Sequence, residues 1–164
     1  MKELELTKGK VALVDDEDFD RVSSWRWKAV KMGRHWRAVR TIRTGPGVDG
    51  CRGTIYLHRQ ITNAPKGMDV DHIDGDSLNN QKSNLRVCTR SENIANSRVQ
   101  IRKKSSRFKG VIWLKKNSCW QAGITIGGKY IYLKSLQLEE DAARCYDEAA
   151  RTRFGDFARV NFVK

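Results

Sequence analysis

The stretch from Met68 to Ser97 constrains the fold more than any other, because four local signals occur there in fixed order. Met68 to Asp71 alternates apolar and polar residues and predicts a short strand ending near His72. Asp74-Gly75-Asp76 is turn chemistry, and Leu85 to Val87 alternates again as a second strand. Thr89-x-x-Glu92 is a capping box, so a helix begins at Thr89. Strand, long loop, strand and capped helix make a ββα unit, whose helix must fold back on the hairpin to bury Ile94. Asp71 and His72 then end a strand with their side chains on opposite sides, and Asn93 stands in the first turns of the helix.

These residue types suit one kind of chemistry. The Asp71 carboxylate and the Asn93 amide oxygen are hard ligands for Mg²⁺, with water and phosphate oxygens filling the remaining positions. An imidazole of near-neutral pKa, His72, takes a proton from an attacking water. Asn84, just before the second strand, is placed to hold the other ring nitrogen of His72 and fix its tautomer. Phosphodiester hydrolysis needs these parts. Taken singly, each has a plain explanation: a surface loop for Asp71-His72, a turn former at Asn84, a solvated helical residue at Asn93. The ordered set carries the reading.

Val70-Asp71-His72-Ile73-Asp74-Gly75, Asn79-Asn80, Ser83-Asn84-Leu85-Arg86 and Thr89-Arg90-Ser91-Glu92-Asn93 resemble an HNH homing endonuclease of the ββα-metal superfamily, over roughly Leu57 to Ser97. The resemblance implies His72 as general base, Asp71 and Asn93 as metal ligands, and Asn84 as the residue that orients His72. It further implies DNA hydrolysis with one divalent ion, Mg²⁺ with Mn²⁺ as a substitute, which also stabilises the leaving 3′-oxygen. Asn93 stands where the family name has a second histidine. Leu57-His58-Arg59 belongs to the same blocks: His58 contacts phosphate, braces the site, or is a hydrogen-bonded structural histidine. Arg59 and Arg86 are expected to clamp phosphate. Asp74 and Asp76 are read as turn residues rather than metal ligands.

The bulk properties agree with a nucleic-acid partner. At 164 residues the chain holds one ordinary domain or two small ones, and its net charge is +13. A chain this basic repels itself, and a polyanion relieves that cost. An anionic membrane surface is the second reading, but it calls for a basic amphipathic helix with a strong apolar face. No apolar run approaches the roughly 20 residues needed to cross a bilayer, and the start, MKELELTKGK, lacks a secretory signal, so a cytoplasmic, DNA-associated protein is expected. Cys51, Cys88, Cys119 and Cys145 form no close pair, which argues against structural zinc and for reduced thiols.

Before the ββα unit, Lys10 to Val14 predicts a strand, and Asp15 to Asp18 the capped, dipole-matched first turn of a helix running to about Trp25 rather than a metal site. Trp27 to Val30 and Trp36 to Ile42 predict strands around the Met32-Gly33-Arg34 turn, and the Gly-rich stretch 44–53 a mobile loop. Residues 98–107 are an acid-free basic connector, either a solvated linker or a track for the phosphate backbone.

From Phe108 to Phe162 the pattern changes. Three strands are predicted, the second with Trp120, Ala122, Ile124 and Ile126 on one face, the third with Ile131 and Leu133 on the same face after the Gly127-Gly128 turn. A helix from Glu139 to about Phe154 shows an apolar stripe of Ala142, Tyr146, Ala149 and Ala150 to cover that face. The other face would carry Lys109, Gln121, Thr125, Tyr130, Tyr132 and Lys134, basic, amide and aromatic groups that suit a DNA major groove. Phe108-Lys109-Gly110-Val111, Tyr132-Leu133-Lys134, Ala142 to Ala150 and Asn161-Phe162 resemble the DNA-binding domain of plant ethylene-response factors. Several base-reading arginines of that family fall here on Ile112, Thr125 and Tyr130, so the resemblance implies DNA binding without the plant target sequence.

The expected fold is α+β: an N-terminal strand-rich region (1–56), a central ββα-metal nuclease core (57–97), a basic linker (98–107), and a three-stranded antiparallel sheet plus one helix (108–164). The expected function is a metal-dependent, homing-type DNA endonuclease with a C-terminal targeting module. The alternatives are a catalytically inactive DNA-binding regulator and an RNA binder. One ββα unit offers one active site, so a monomer nicks double-stranded DNA first, whereas a homodimer can cut both strands.

Overall fold

The computed structural model describes residues 1–44, 51–97 and 105–163. The contacts divide the chain into two compact units, Met1–Cys88 and Thr89–Lys164.

The first unit opens with an antiparallel hairpin of β1 (Lys2–Glu5) and β2 (Val11–Val14), in which Lys2 pairs with Val14. Helix α1 (Asp16–Ser23) starts with three acids, which complement the positive end of its dipole. Asp15 precedes it without capping it through the side chain. Its carboxylate instead accepts from the Lys82 backbone N–H at 2.7 Å and from Gln81 at 3.3 Å. Asp18 is buried against Arg21 at 2.5 Å and Lys82 at 3.2 Å. The acidic run therefore begins a helix and tethers a distant turn. The Trp27 ring is buried, and its indole N–H donates to the Val22 carbonyl at 2.9 Å.

Strands β3 (Lys28–Met32), β4 (His35–Thr44) and β5 (Cys51–Tyr56) form an antiparallel sheet in that order. Residues 51–53, expected in a loop, pair with Thr44, Arg43 and Ile42, because the chain returns along β4 once the Gly-rich stretch ends; residues 45–50 lie outside the described residues. Helix α2 (Leu57–Thr62) follows directly and ends at Asn63 in the left-handed conformation, with φ 47°. Strands β6 (Asp69–His72) and β7 (Leu85–Cys88) then pair, Asp71 opposite Arg86 and His72 opposite Leu85. One core joins all of this: Ala12, Val14, Val22, Trp27, Ala29 and Ala38 pack with Leu57, Ile61, Val70 and Leu85.

In the second unit, helix α3 (Arg90–Asn96) carries the expected capping box. The Thr89 backbone N–H donates to the Glu92 carboxylate at 2.7 Å, and the Thr89 hydroxyl accepts from the Glu92 N–H at 3.3 Å. The helix buries Ala95 and leaves Ile94 exposed, which reverses the expectation for Ile94. Strands β8 (Val111–Leu114), β9 (Cys119–Ile126) and β10 (Lys129–Leu136) form the predicted antiparallel sheet with β9 in the middle, and α4 (Glu139–Phe154) packs on it. Ala142, Ala143 and Ala150 are the closely buried positions of α4; their small side chains permit close approach to Val111, Ala122 and Ile124. Gly110 is required where it stands: its φ is +76°, and a Cβ there would lie 1.9 Å from the Tyr146 ring.

The C-terminal residues are held by one buried carboxylate. Asp147, 2% exposed, accepts from the backbone N–H of Asn161 at 2.7 Å, the Asn161 amide at 2.9 Å and the Phe162 N–H at 2.9 Å. Asn161 in turn accepts from the Lys109 N–H at 2.7 Å and donates to its carbonyl at 3.1 Å. Among the described residues no helix is long and apolar enough to cross a membrane, and Cys88, Cys119 and Cys145 carry free thiols. Replacing Asp147 by Ala strands three donors, one of them a side-chain amide, and is expected to cost about 2–4 kcal/mol of stability. Urea denaturation followed by tryptophan fluorescence measures it.

Candidate active site

His72 ends β6, and the residues after it form a compact loop. The Ile73 N–H donates to the Asn84 carbonyl at 3.0 Å, and the Gly75 N–H to the His72 carbonyl at 2.9 Å. Asp74 accepts from the Asp76 N–H at 2.7 Å, Asn79 at 2.9 Å and Asn84 at 3.0 Å. Burial would raise the Asp74 carboxyl, but these hydrogen bonds and the nearby His72 hold it below the usual carboxylate range. Asp74 and Asp76 are thus turn residues, as read from the sequence. The loop is also docked outward on the N-terminal strands. Leu13 exchanges backbone hydrogen bonds with Leu78 at 2.9 Å and Asn80 at 2.8 Å, and the Ser77 hydroxyl donates to the Trp36 carbonyl at 2.7 Å.

Asn84, expected to hold the His72 ring, is turned to the loop instead. Asn84 spends its amide on the Asp74 backbone N–H, the Asp74 carboxylate and the Asn79 carbonyl, so it braces the loop and does not hold the His72 ring. Asn80, 1% exposed, faces the imidazole: its Nδ2 donates to the Leu78 carbonyl at 2.9 Å, leaving a buried Oδ1 turned to His72. The Asn79-Asn80 block held that signal in the sequence, but nothing local assigned it a partner.

His72 and His58 are buried together. Their rings meet edge to face at 5.3 Å, and His58 stacks on Tyr56 at 5.5 Å. Burial drives both imidazoles down, His58 to about 3, where the charges of His72, Arg37 and Arg59 add to the effect. For His72 the interaction with Asn80 and the carboxylates of Asp74 and Asp71 pull upward without overcoming burial. Both rings are therefore neutral at physiological pH, the state a proton acceptor requires. Of the two readings of His58, its burial between Tyr56 and His72 favours the structural one.

Asp71 is also buried, and Arg86 donates to its Oδ2 through Nε at 2.9 Å and a terminal nitrogen at 2.8 Å. That pairing fixes the carboxylate and takes Arg86 away from the expected phosphate clamp. Arg59 is likewise committed: it donates to the carbonyls of Met68 at 2.6 Å, Ala64 at 3.0 Å and Pro65 at 2.9 Å, and so braces residues 64–68. In both cases an acceptor buried by the fold outcompetes a solvent-facing role. Asn93 lies half-buried in the first turns of α3, in the second unit. Among the described residues no three His, Cys, Asp or Glu side chains gather in a metal-binding cluster.

Within the second unit, the open sheet face keeps four of its six expected residues. Tyr130 and Tyr132 are each 55% exposed, Thr125 is exposed, and Gln121 donates to the Tyr130 hydroxyl at 2.7 Å. The Tyr130 ring lies across Gly123, where a Cβ would come within 2.0 Å of its oxygen. Lys109 leaves this set: its amine donates to the carbonyls of Ile94, Ala95 and Ser97, capping the negative end of α3. Lys134 leaves it because a β-bulge shifts the register, pairing Lys134 with core-facing Ala122 and placing Ser135 opposite Gln121.

An HNH endonuclease family model matches residues 63–95. The chain is 32% identical over 162 residues to an uncharacterized HNH endonuclease, L560, of Acanthamoeba polyphaga mimivirus, covering 95% of this chain and 77% of that one. It is 37% identical over 95 residues to Protein 3.8 of Escherichia phage T7, covering 58% of this chain and 77% of that protein. It is also 37% identical over 73 residues to the AP2-like ethylene-responsive transcription factor TOE2 of Arabidopsis thaliana, covering 44% of this chain and 15% of that factor.

The two buried imidazoles give a pH dependence of definite sign. Unfolded histidines take up protons near pH 6.5, whereas folded His58 does so only near 3 and folded His72 also below its ordinary value. Acid therefore favours the unfolded chain in that window; His58 alone contributes up to about 1.4 kcal/mol per pH unit, and His72 acts in the same direction. Urea midpoints measured from pH 6.5 down to about pH 5 are expected to fall, and His58→Gln to make that fall shallower. An unchanged slope in His58→Gln contradicts the burial argument.

Proposed function

Because this chain belongs to the HNH endonuclease family, we propose that it hydrolyses phosphodiester bonds in double-stranded DNA with His72 as general base and a divalent cation as cofactor. The observation that carries this reading is the buried, neutral His72 beside Asp71, in a loop fastened from both sides. Water attacks phosphorus, its proton passes to His72, and the bond to the 3′-oxygen breaks. Asn80 and His58 hold the imidazole in place, and Arg86 holds Asp71. Asn84 serves this chemistry by fixing the loop.

A hard cation would be held by the Asp71 carboxylate, with water and phosphate oxygens in the remaining positions, and Asn93 is the second ligand that the family resemblance implies. Mg²⁺, or Mn²⁺ in its place, supplies Lewis-acid stabilisation of the charge that builds on the leaving oxygen. One general base per chain makes a nicked circle the expected first product from plasmid, in keeping with a homing-type enzyme; a homodimer would bring a second base.

The C-terminal sheet is proposed to anchor the enzyme on DNA through Gln121, Thr125, Tyr130 and Tyr132. The Tyr130 ring, lying across Gly123, and the exposed Tyr132 support this reading, as does the similarity of part of the chain to a plant transcription factor.

Supercoiled plasmid incubated with the protein is expected to be nicked with Mg²⁺ or Mn²⁺ and left intact with EDTA. His72→Ala should reduce the rate by about a hundred- to ten-thousand-fold while duplex binding persists. Cleavage by His72→Ala at the native rate would reject His72 as the base. Gln121→Ala combined with Tyr132→Ala is expected to weaken binding of target duplex about tenfold, read by fluorescence anisotropy. Native affinity in that variant would reject the anchor.

A further inference from the structure

Strands β3, β4 and β5 contain six basic residues, Lys28, Lys31, Arg37, Arg40, Arg43 and Arg52, and no acidic one. The imbalance reaches past the sheet: between Asp20 and Asp69 the sequence has a single acid, Asp49. One face of the sheet packs on the core through Ala29, Trp36, Ala38 and Ile55. The register puts Lys28, Arg37, Arg43 and Arg52 on the opposite face, with Arg43 directly across from Arg52. Both of these arginines are exposed. Like charges so placed destabilise an antiparallel pair, and the strands supply no acid to relieve them.

Arg37 marks the point where this face meets the candidate active site. Its guanidinium lies 6.0 Å from the centre of the Tyr56 ring, which stacks on His58, which meets His72 edge to face. Its charge acts on both imidazoles and helps to keep them neutral. Its Nε is buried and has no hydrogen-bond partner among the described residues. A buried guanidinium N–H left unpaired is costly unless an acceptor arrives from outside the chain.

We propose that the outer face of the β3–β4–β5 sheet binds the DNA backbone, and that Arg37 at its inner end holds the scissile phosphate beside His72. The inference rests on the reading of His72 as general base. Arginine suits the task because its planar, permanently charged fork matches two phosphate oxygens at once. Held against a neutral imidazole, it favours the phosphate as negative charge develops, while leaving the base free to accept a proton. A row of separated cations on a strand pair follows a phosphate backbone, whereas a lipid surface calls for an apolar face to insert.

Two measurements on the full-length protein test this: duplex binding in EDTA across a salt series, and plasmid nicking with Mg²⁺ at saturating DNA. The double variant Arg43→Gln/Arg52→Gln is expected to bind about tenfold more weakly and to lower the salt slope by about 2. Arg37→Gln is expected to lower the cleavage rate about a hundredfold, with partial recovery in Arg37→Lys, which keeps the charge but loses the fork. A native salt slope in the double variant overturns the surface, as does a loss confined to phosphatidylserine vesicles with duplex binding intact. Native cleavage by Arg37→Gln overturns the phosphate contact. Should Arg37→Gln melt at a lower temperature, Arg37→Lys decides that contact: cleavage at the native rate overturns it, and a reduced rate in a folded protein supports it. If His72→Ala also cuts, the general-base reading fails; if His72→Ala is inactive while Arg37→Gln cuts normally, the phosphate contact alone fails.

Discussion

The loop between β6 and β7 has little regular structure of its own, so its path is imposed by what it leans on. Leu13, in the middle of β2, donates to Leu78 and accepts from Asn80, and these bonds run the loop alongside the strand as a further short rung of pairing. β2 is fixed by burial of Ala12 and Val14 in the core that also contains Val70 and Leu85 of the β6–β7 hairpin. Remove that docking and Asn80 loses its position, and with it the group facing the His72 ring. Asp15 and Ser77 add side-chain tethers to the same loop. The N-terminal strands thus cradle the chemistry.

That dependence explains which parts of the molecule were legible in the sequence. Strands β6 and β7, the turn at Asp74-Gly75-Asp76 and the capping box at Thr89 and Glu92 were readable because their signals act over a few residues. The sheet and helix of the second unit were readable because alternation and a small-residue stripe report directly on a buried face. Helix α2 carries no local signal: it is six residues long, has no side-chain cap, and is held by Leu57 and Ile61 in a distant core. The first residues of β5 were hidden by the adjoining glycines, since only pairing with β4 makes them extended.

At the candidate site the residue types are legible in the sequence, and the contacts that each residue makes are less so. His72, Asp71 and Arg86 are brought together, yet Arg86 serves Asp71 rather than phosphate. Lys109 and Arg59 are cations whose partners are backbone carbonyls, and carbonyls carry no sequence signal at all. Asn79, Asn80 and Asn84 are alike in type, and only the loop path decides which faces the imidazole and which faces Asp74. Charge shows the same limit. A total of +13 pointed to a polyanion, but where the positive charge gathers depends on strand register.

The bulge in β10 has a geometric consequence. Leu133 and Lys134 together stand opposite the single residue Ala122, so the strand holds one more residue than a regular ladder would need. On either side of it the rows resume unchanged, with Tyr132 and Ser135 outward and Ile131 and Leu136 toward the helix side. The surplus residue therefore leaves the pattern intact and changes the shape, since a bulge coils the strand more tightly than pleating alone. A sheet edge that carries such a bulge is locally bent and more strongly twisted than a regular one.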